Sequence, residues 1–178
     1  MTHSSLLSAL LTACLALVGH VAFAANSPIT TGSTADDDAP AWQEGPVPAP
    51  AAPALDKLAP FKLEMATNLR WALDPNSVSL GRDGVIRYVL VATSDSGAAN
   101  VLYEGIRCGT AEVRTYARWT AEAGWKDNES ATWQPLAFRG ATRRAMLMAR
   151  GGLCDGKTLP SDARRAVREL QQGRNFMN

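Results

Sequence analysis

Three long β-type runs, joined by turns too short to hold a helix, occupy the centre of this 178-residue chain. Residues 85–93 are β-branched and apolar almost throughout; residues 100–108 form a second run and 111–119 a third. Ser94-Asp95-Ser96-Gly97 lies in the first gap and Gly109-Thr110 in the second. Parallel neighbours need a crossover of a dozen or more residues, so these runs must pair antiparallel in chain order, as a meander. Arg82-Asp83-Gly84 reads as a further tight turn, which pairs residues 77–80 with the first run as a hairpin. Gly124 marks another turn, and Trp125 and Trp133 suggest short later strands. Two helices are expected next. One covers 141–150 and stops at Gly151-Gly152; the other covers 162–172, capped by Ser161 and stopped by Gly173. Strands first and helices later predict an α+β fold: an antiparallel meander of about four to five strands with two C-terminal helices on one face.

The N-terminus carries a different signal. Residues 6–23 are apolar and end in Ala22-Phe23-Ala24, small residues at the −3 and −1 positions of a signal-peptidase site. Cleavage is expected between Ala24 and Ala25, which places the chain in the periplasm or outside the cell. Leu11-Thr12-Ala13-Cys14 resembles a lipobox, so the alternative is a lipoprotein anchored through Cys14. No other stretch is long and apolar enough to span a bilayer. Residues 25–59 form a Pro- and Ala-rich leader, expected to be disordered, with Pro46, Pro48, Pro50 and Pro53 favouring extended geometry. Trp42 is its exception, either docking back on the domain or meeting a partner. The globular domain is expected over 60–178.

Processing narrows the chemistry. Both histidines, His3 and His20, lie in the signal peptide. Their loss excludes Ser-His-Asp and Cys-His arrangements and removes the commonest zinc and iron ligand. Cys14 leaves as well, and Cys108 and Cys154 remain, an even number in an oxidising compartment. They are expected to pair. The rival reading is a reactive thiol, for which the sequence offers no base. No cofactor and no metal site are expected. The formal charge of +1 hides an uneven distribution. Residues 25–60 hold Asp36, Asp37, Asp38, Glu44 and Asp56 against Lys57, and the rest of the chain is mildly basic.

Alternation assigns faces to the strands. Leu102, Glu104, Ile106 and Cys108 share one face with Val113, Thr115, Ala117 and Trp119; Ile86, Tyr88 and Leu90 join the same buried side. The opposite face brings together Tyr103, Arg107, Arg114, Tyr116 and Arg118, a basic-aromatic set able to bind phosphates or sugars by charge and stacking. The same pattern fits a solvated face with Arg–Glu cross-strand pairs. Glu104 falls among apolar neighbours. Either a bulge at Gly105 turns it outward, or it is buried and paired with an arginine.

Tyr103-Glu104-Gly105-Ile106-Arg107-Cys108, followed by Arg114-Thr115-Tyr116-Ala117, resembles the CNP1-like family of exported proteobacterial proteins. Phe61-Lys62, Asp74-Pro75, Ser77, residues 83–88, Trp133-Gln134-Pro135 and Cys154 look like further landmarks, so the likeness covers roughly 60–172. Residues 146–153 depart from an aromatic-rich version of the family. The resemblance implies an exported protein of a Gram-negative envelope and carries over no catalytic residue.

Three functions are compatible with these residues. The first is a non-enzymatic envelope domain that binds a partner protein or an anionic envelope component. The second is a hydrolase-like enzyme using Glu104 with Arg107, with Glu112 as the nearby second acid. The third is a structural scaffold whose functional arm is the Pro-rich leader.

Overall fold

The computed structural model describes residues 41–48 and 50–173. The expected signal peptide, its cleavage site and the Cys14 lipobox lie outside the described residues. Six strands run antiparallel in chain order: β1 Ala59–Phe61, β2 Arg70–Leu80, β3 Val85–Thr93, β4 Ala99–Arg107, β5 Glu112–Thr120 and β6 Gly124–Asp127. A two-residue strand, β7 Gln134–Pro135, pairs with β5 near its start. The helices α1 Arg143–Met148 and α2 Ala163–Gln172 follow, with a π-helical turn, Ala149–Leu153, extending α1. The α+β meander with two C-terminal helices is therefore present, with more strands than expected. β1 and the first half of β2 carry too little alternation to be read from sequence.

Strand β2 is long because it is bulged. Asp74 pairs with Val89 and Ser79 with Arg87, so β2 carries the surplus residues over this stretch. Pro75 lacks the N–H that a ladder position needs. Ser77 bridges the gap: its Oγ accepts from the Val89 amide at 2.8 Å and donates to the Asp74 carbonyl at 2.6 Å. The turn before β3 is built as expected, with the Gly81 N–H on the Val85 carbonyl and the Gly84 N–H on the Gly81 carbonyl.

One face of the sheet is covered by the helices. Phe61, Trp71, Leu73, Ile86, Tyr88, Leu90, Leu102, Ile106 and Val113 meet Ala145, Met148, Leu153, Ala166, Val167 and Leu170 in the main core. The N-cap of α2 is Asp162, not Ser161; its side chain accepts from the Arg165 amide at 2.8 Å. Gly152 lies where the π turn presses on α2. Its φ is +141°, and a Cβ there would sit 2.7 Å from the Glu169 Cβ and 2.9 Å from the Leu170 nitrogen. Cys108, just beyond β4, and Cys154, just beyond the π turn, are disulfide-bonded with Cα atoms 5.7 Å apart. The bond ties the helical layer to the sheet.

The second face is buried too, which corrects the expectation of an open one. Val89, Val91, Val101, Tyr103, Tyr116 and Ala117 form a separate cluster, with Leu58, Trp119, Trp125 and Trp133 packed against it. Leader residues lie on this side. Trp42 Nε1 donates to the Asp83 carbonyl at 2.8 Å, and Trp125 Nε1 donates to the Ala51 carbonyl at 3.2 Å. The described part of the leader, expected to be disordered, is a strap that uses the sheet as its partner instead of secondary structure of its own. Among the described residues no helix is long and apolar enough to cross a membrane.

Closing a loop between residues 46 positions apart confers roughly 4 kcal/mol in the chain-entropy account. Reduction under native conditions should therefore lower the melting temperature by well over five degrees, on the order of 4–8 °C per kcal/mol for a small domain. Differential scanning calorimetry with and without a phosphine reductant checks this; an unchanged melt of demonstrably reduced protein would contradict it.

Candidate functional site

Two charged nodes flank β4, one on each side of the sheet, because Glu104 and the residues beside it point in opposite directions. On the helix side Glu104 is buried, at 1% exposure. Arg144 of α1 meets it with two hydrogen bonds, Nη1 to Oε2 at 2.7 Å and Nη2 to Oε1 at 2.8 Å. The Tyr88 hydroxyl donates to Oε2 at 3.2 Å and Thr115 Oγ1 to Oε1 at 3.0 Å. Of the two expectations for Glu104, the buried one paired with an arginine is correct, and no bulge at Gly105 turns it outward. Burial would lower the Arg144 pKa, but the charge and hydrogen bonds of Glu104 raise it instead. The Tyr88 phenol is pushed well up, first by burial and then by the carboxylate beside it. A cavity of about 470 Å³ opens nearby, lined by Leu69, Trp71, Asn100, Leu102 and Arg144, whose guanidinium is already committed to Glu104.

On the opposite side stands the basic-aromatic set, with one member missing. The β4–β5 register runs Tyr103–Ala117 and then Glu104–Thr115, so Tyr116 is the extra residue of a β-bulge. A bulge sends two successive side chains to one face and inverts every residue beyond it. Tyr116 and Ala117 therefore share the strap side, correcting the placement of Ala117 and Trp119 on the helix side. Arg118 is inverted with them. It lies opposite Leu102 and donates to Asn100 Oδ1 at 3.1 Å on the exposed edge of the helix side. Tyr103, Arg107, Arg114 and Tyr116 remain together, as the alternation predicted.

The sequence reading missed their partners. Arg87, in the middle of β3, is 4% exposed and shares this face. Asp83, in the β2–β3 turn, takes Arg87 Nη2 at 2.6 Å and Nη1 at 3.3 Å. Glu44 of the strap completes the node. Its Oε1 accepts from Tyr116 Oη at 2.5 Å and Arg87 Nη2 at 3.2 Å; its Oε2 accepts from Arg114 Nη1 at 2.9 Å. The Gly45 amide donates to Asp83 Oδ2 at 2.8 Å, holding the strap in register. Trp42 lies against the Arg107 guanidinium, 3.8 Å from ring centroid to Cζ, and edge-on to Trp133 at 5.9 Å. Arg107 also reaches Glu112 at 3.5 Å, the cross-strand pair that the alternative reading of this face allowed. Glu104 and Arg107, paired in the hydrolase reading, thus face opposite sides of the sheet.

Burial would lower the Arg87 pKa, but hydrogen bonds to Asp83 and Glu44 raise it. Burial would raise the Asp83 pKa, but Arg87 and the Gly45 amide pull it down. The Tyr116 phenol is raised first by burial and then by its hydrogen bond to Glu44. Gly105 makes room for that phenol: a Cβ at Gly105 would lie 2.6 Å from Tyr116 Oη and 2.9 Å from Val85 Cγ1. Every residue of the Tyr103–Cys108 string thus has a contact of its own. Tyr103 packs on Tyr116, Glu104 pairs with Arg144, Gly105 clears the phenol, Ile106 fills the core, Arg107 stacks on Trp42 and Cys108 holds the disulfide.

The raised phenol pKa predicts a pH dependence. Folding stabilises the neutral form of Tyr116, so its contribution is intact below the free phenol value near pH 10 and is lost as pH rises further. Urea unfolding between about pH 8 and 11.5 should show stability falling above pH 10, and Tyr116→Phe should make that fall shallower. Tyr88 and Tyr103 leave a residual slope, because their phenols are raised too. An equally steep loss in Tyr116→Phe would contradict the assignment.

Comparison with known proteins agrees with the motif string. No curated protein and no solved structure matches the chain. The CNP1-like family model matches residues 37–171, a span that takes in both nodes, the strap residues Trp42 and Glu44, and the disulfide. With most of its length matched, the chain belongs to the CNP1-like family.

Proposed function

We propose that this protein is an exported domain of the cell envelope, periplasmic once residues 1–24 are removed, and that it works by binding an anionic partner or envelope component rather than by catalysis. One observation carries the reading. The face bearing Tyr103, Arg107, Arg114 and Tyr116 already holds a carboxylate, that of Glu44, with hydrogen bonds from two guanidinium groups and a phenol. Charge-assisted bonds of this kind, walled by aromatic rings, suit an anion that needs orientation and not a reacting group. The disulfide is compatible with an oxidising compartment. Glu104 is consumed by four hydrogen bonds and serves the packing of α1.

The test is expression in a Gram-negative host, fractionation and co-sedimentation of the exported chain with purified envelopes. The reading predicts periplasmic protein whose intact mass begins at Ala25, and envelope retention that weakens with salt. Retention should fall at least several-fold in an Arg107→Ala/Arg114→Ala variant that still melts cooperatively. Cytoplasmic full-length protein, lipid on Cys14, or retention indifferent to both arginines would contradict it.

A further inference from the structure

The Glu44 node contains more donors than its carboxylate uses. Three donors converge on the two Glu44 oxygens, yet the Nε atoms of Arg87 and Arg114 are buried without a hydrogen-bond partner among the described residues. A buried donor left unpaired is costly, and native proteins rarely tolerate one; Arg114 meets Glu44 through Nη1, so it is the Arg87 Nε–H that borders the carboxylate. In a guanidinium, Nε–H lies on the same edge as one Nη2–H. For Arg87, Nη2 is the atom that already reaches Glu44, so its idle Nε–H sits beside the occupied position. A carboxylate is planar with two oxygens; a phosphate monoester presents three acceptor oxygens in a tetrahedral array and more charge.

The occupant is also detachable. Residues 41–48 form no strand or helix, and Pro46, Val47 and Pro48 are exposed. Glu44 is held by the node itself, by the Trp42 indole on the Asp83 carbonyl and by the Gly45 amide on Asp83. Its departure breaks no strand pairing. With Glu44 gone, Arg87, Arg107 and Arg114 face Asp83 and Glu112, a net positive site beside the Tyr116 hydroxyl. Resting on the binding function proposed above, we infer that this node is a site for a phosphate-type oxyanion and that the Trp42–Gly45 strap is its resident competitor. The ligand is a phosphate monoester, whether free in solution or on a lipid headgroup. A tethered competitor acts at an effective concentration on the order of millimolar, so the site is masked until the ligand outcompetes it.

The experiment compares the full exported chain, Glu44→Ala and Glu44→Ala/Arg114→Ala, each checked for a cooperative melt. One arm titrates inorganic phosphate, read by calorimetry and the phosphorus NMR line width, at constant ionic strength with chloride as the control anion. The other uses phosphatidylcholine vesicles with and without phosphatidic acid. Glu44→Ala should bind phosphate, or the phosphatidic acid vesicles, at least tenfold more tightly than the unaltered chain, as expected when a tethered competitor is removed. The double variant should lose that gain. A gain in the first arm points to a free phosphate ligand, and a gain confined to the second to a lipid headgroup. No gain in either arm, or a gain that survives loss of Arg114, overturns the inference. If Glu44→Ala fails to fold, Glu44→Gln takes its place and must show a gain in the same direction. Failure here, with retention on envelopes still dependent on Arg107 and Arg114, would leave the binding function standing and remove only the oxyanion.

Discussion

A guanidinium buried in the middle of a sheet has to be neutralised where it stands, and Arg87 is in that position. It sits at 4% exposure between Ile86 and Tyr88 on one of the most deeply buried strands. Removing an unpaired ion from water costs several kcal/mol, so β3 can occupy the centre of the sheet only if acids reach Arg87 from nearby. Asp83 comes from the hairpin turn four residues earlier. Glu44 comes from a segment that would otherwise have no reason to fold, and it brings Trp42 and Gly45 with it. The strap, the burial of Tyr103 and Tyr116 and the covering of the second sheet face all follow from that requirement.

The other face has the same logic with a different partner. Glu104 is the buried charge, and Arg144 satisfies it from α1. Truncating either member would leave an uncompensated ion inside the protein, a loss of about 3–5 kcal/mol. The two nodes lie close together in sequence yet on opposite sides of the sheet, because Glu104 and Gly105 are neighbours on β4 and alternate in direction. Alternation separates Thr115 and Tyr116 on β5 in the same way, so Thr115 reaches Glu104 on one side while Tyr116 reaches Glu44 on the other.

Much of the fold was legible. β3 has the predicted bounds, 85–93, because β-branched residues between two turn signals leave little choice. The disulfide was legible from cysteine number and the expected compartment. Four of the five proposed binding residues share a face because alternation is a property of the backbone. What was not legible depended on tertiary contacts. A bulge leaves no mark in composition, so alternation alone puts Arg118 and Ala117 on the wrong faces. The strap's proline content is that of a linker and predicts disorder; its order comes from Arg87 and Arg114, some 40 to 70 residues away. One signal of the strap does lie in the sequence. An arginine flanked by Ile86 and Tyr88 inside an apolar run demands a buried acid, and the leader held a glutamate two residues from its tryptophan.

A strap seated by an ion-paired node leaves the second face of this sheet occupied rather than bare. Amide hydrogen exchange measures that occupancy most directly, at the Gly45 amide and the Trp42 indole N–H, both donors to Asp83. In the full chain at neutral pH, both should exchange at least tenfold more slowly than in an unstructured peptide, since each must break its bond to exchange. Exchange at the unstructured rate, while the amides of β3 and β4 remain protected, would show that Glu44 does not hold the strap on the sheet and would contradict the account.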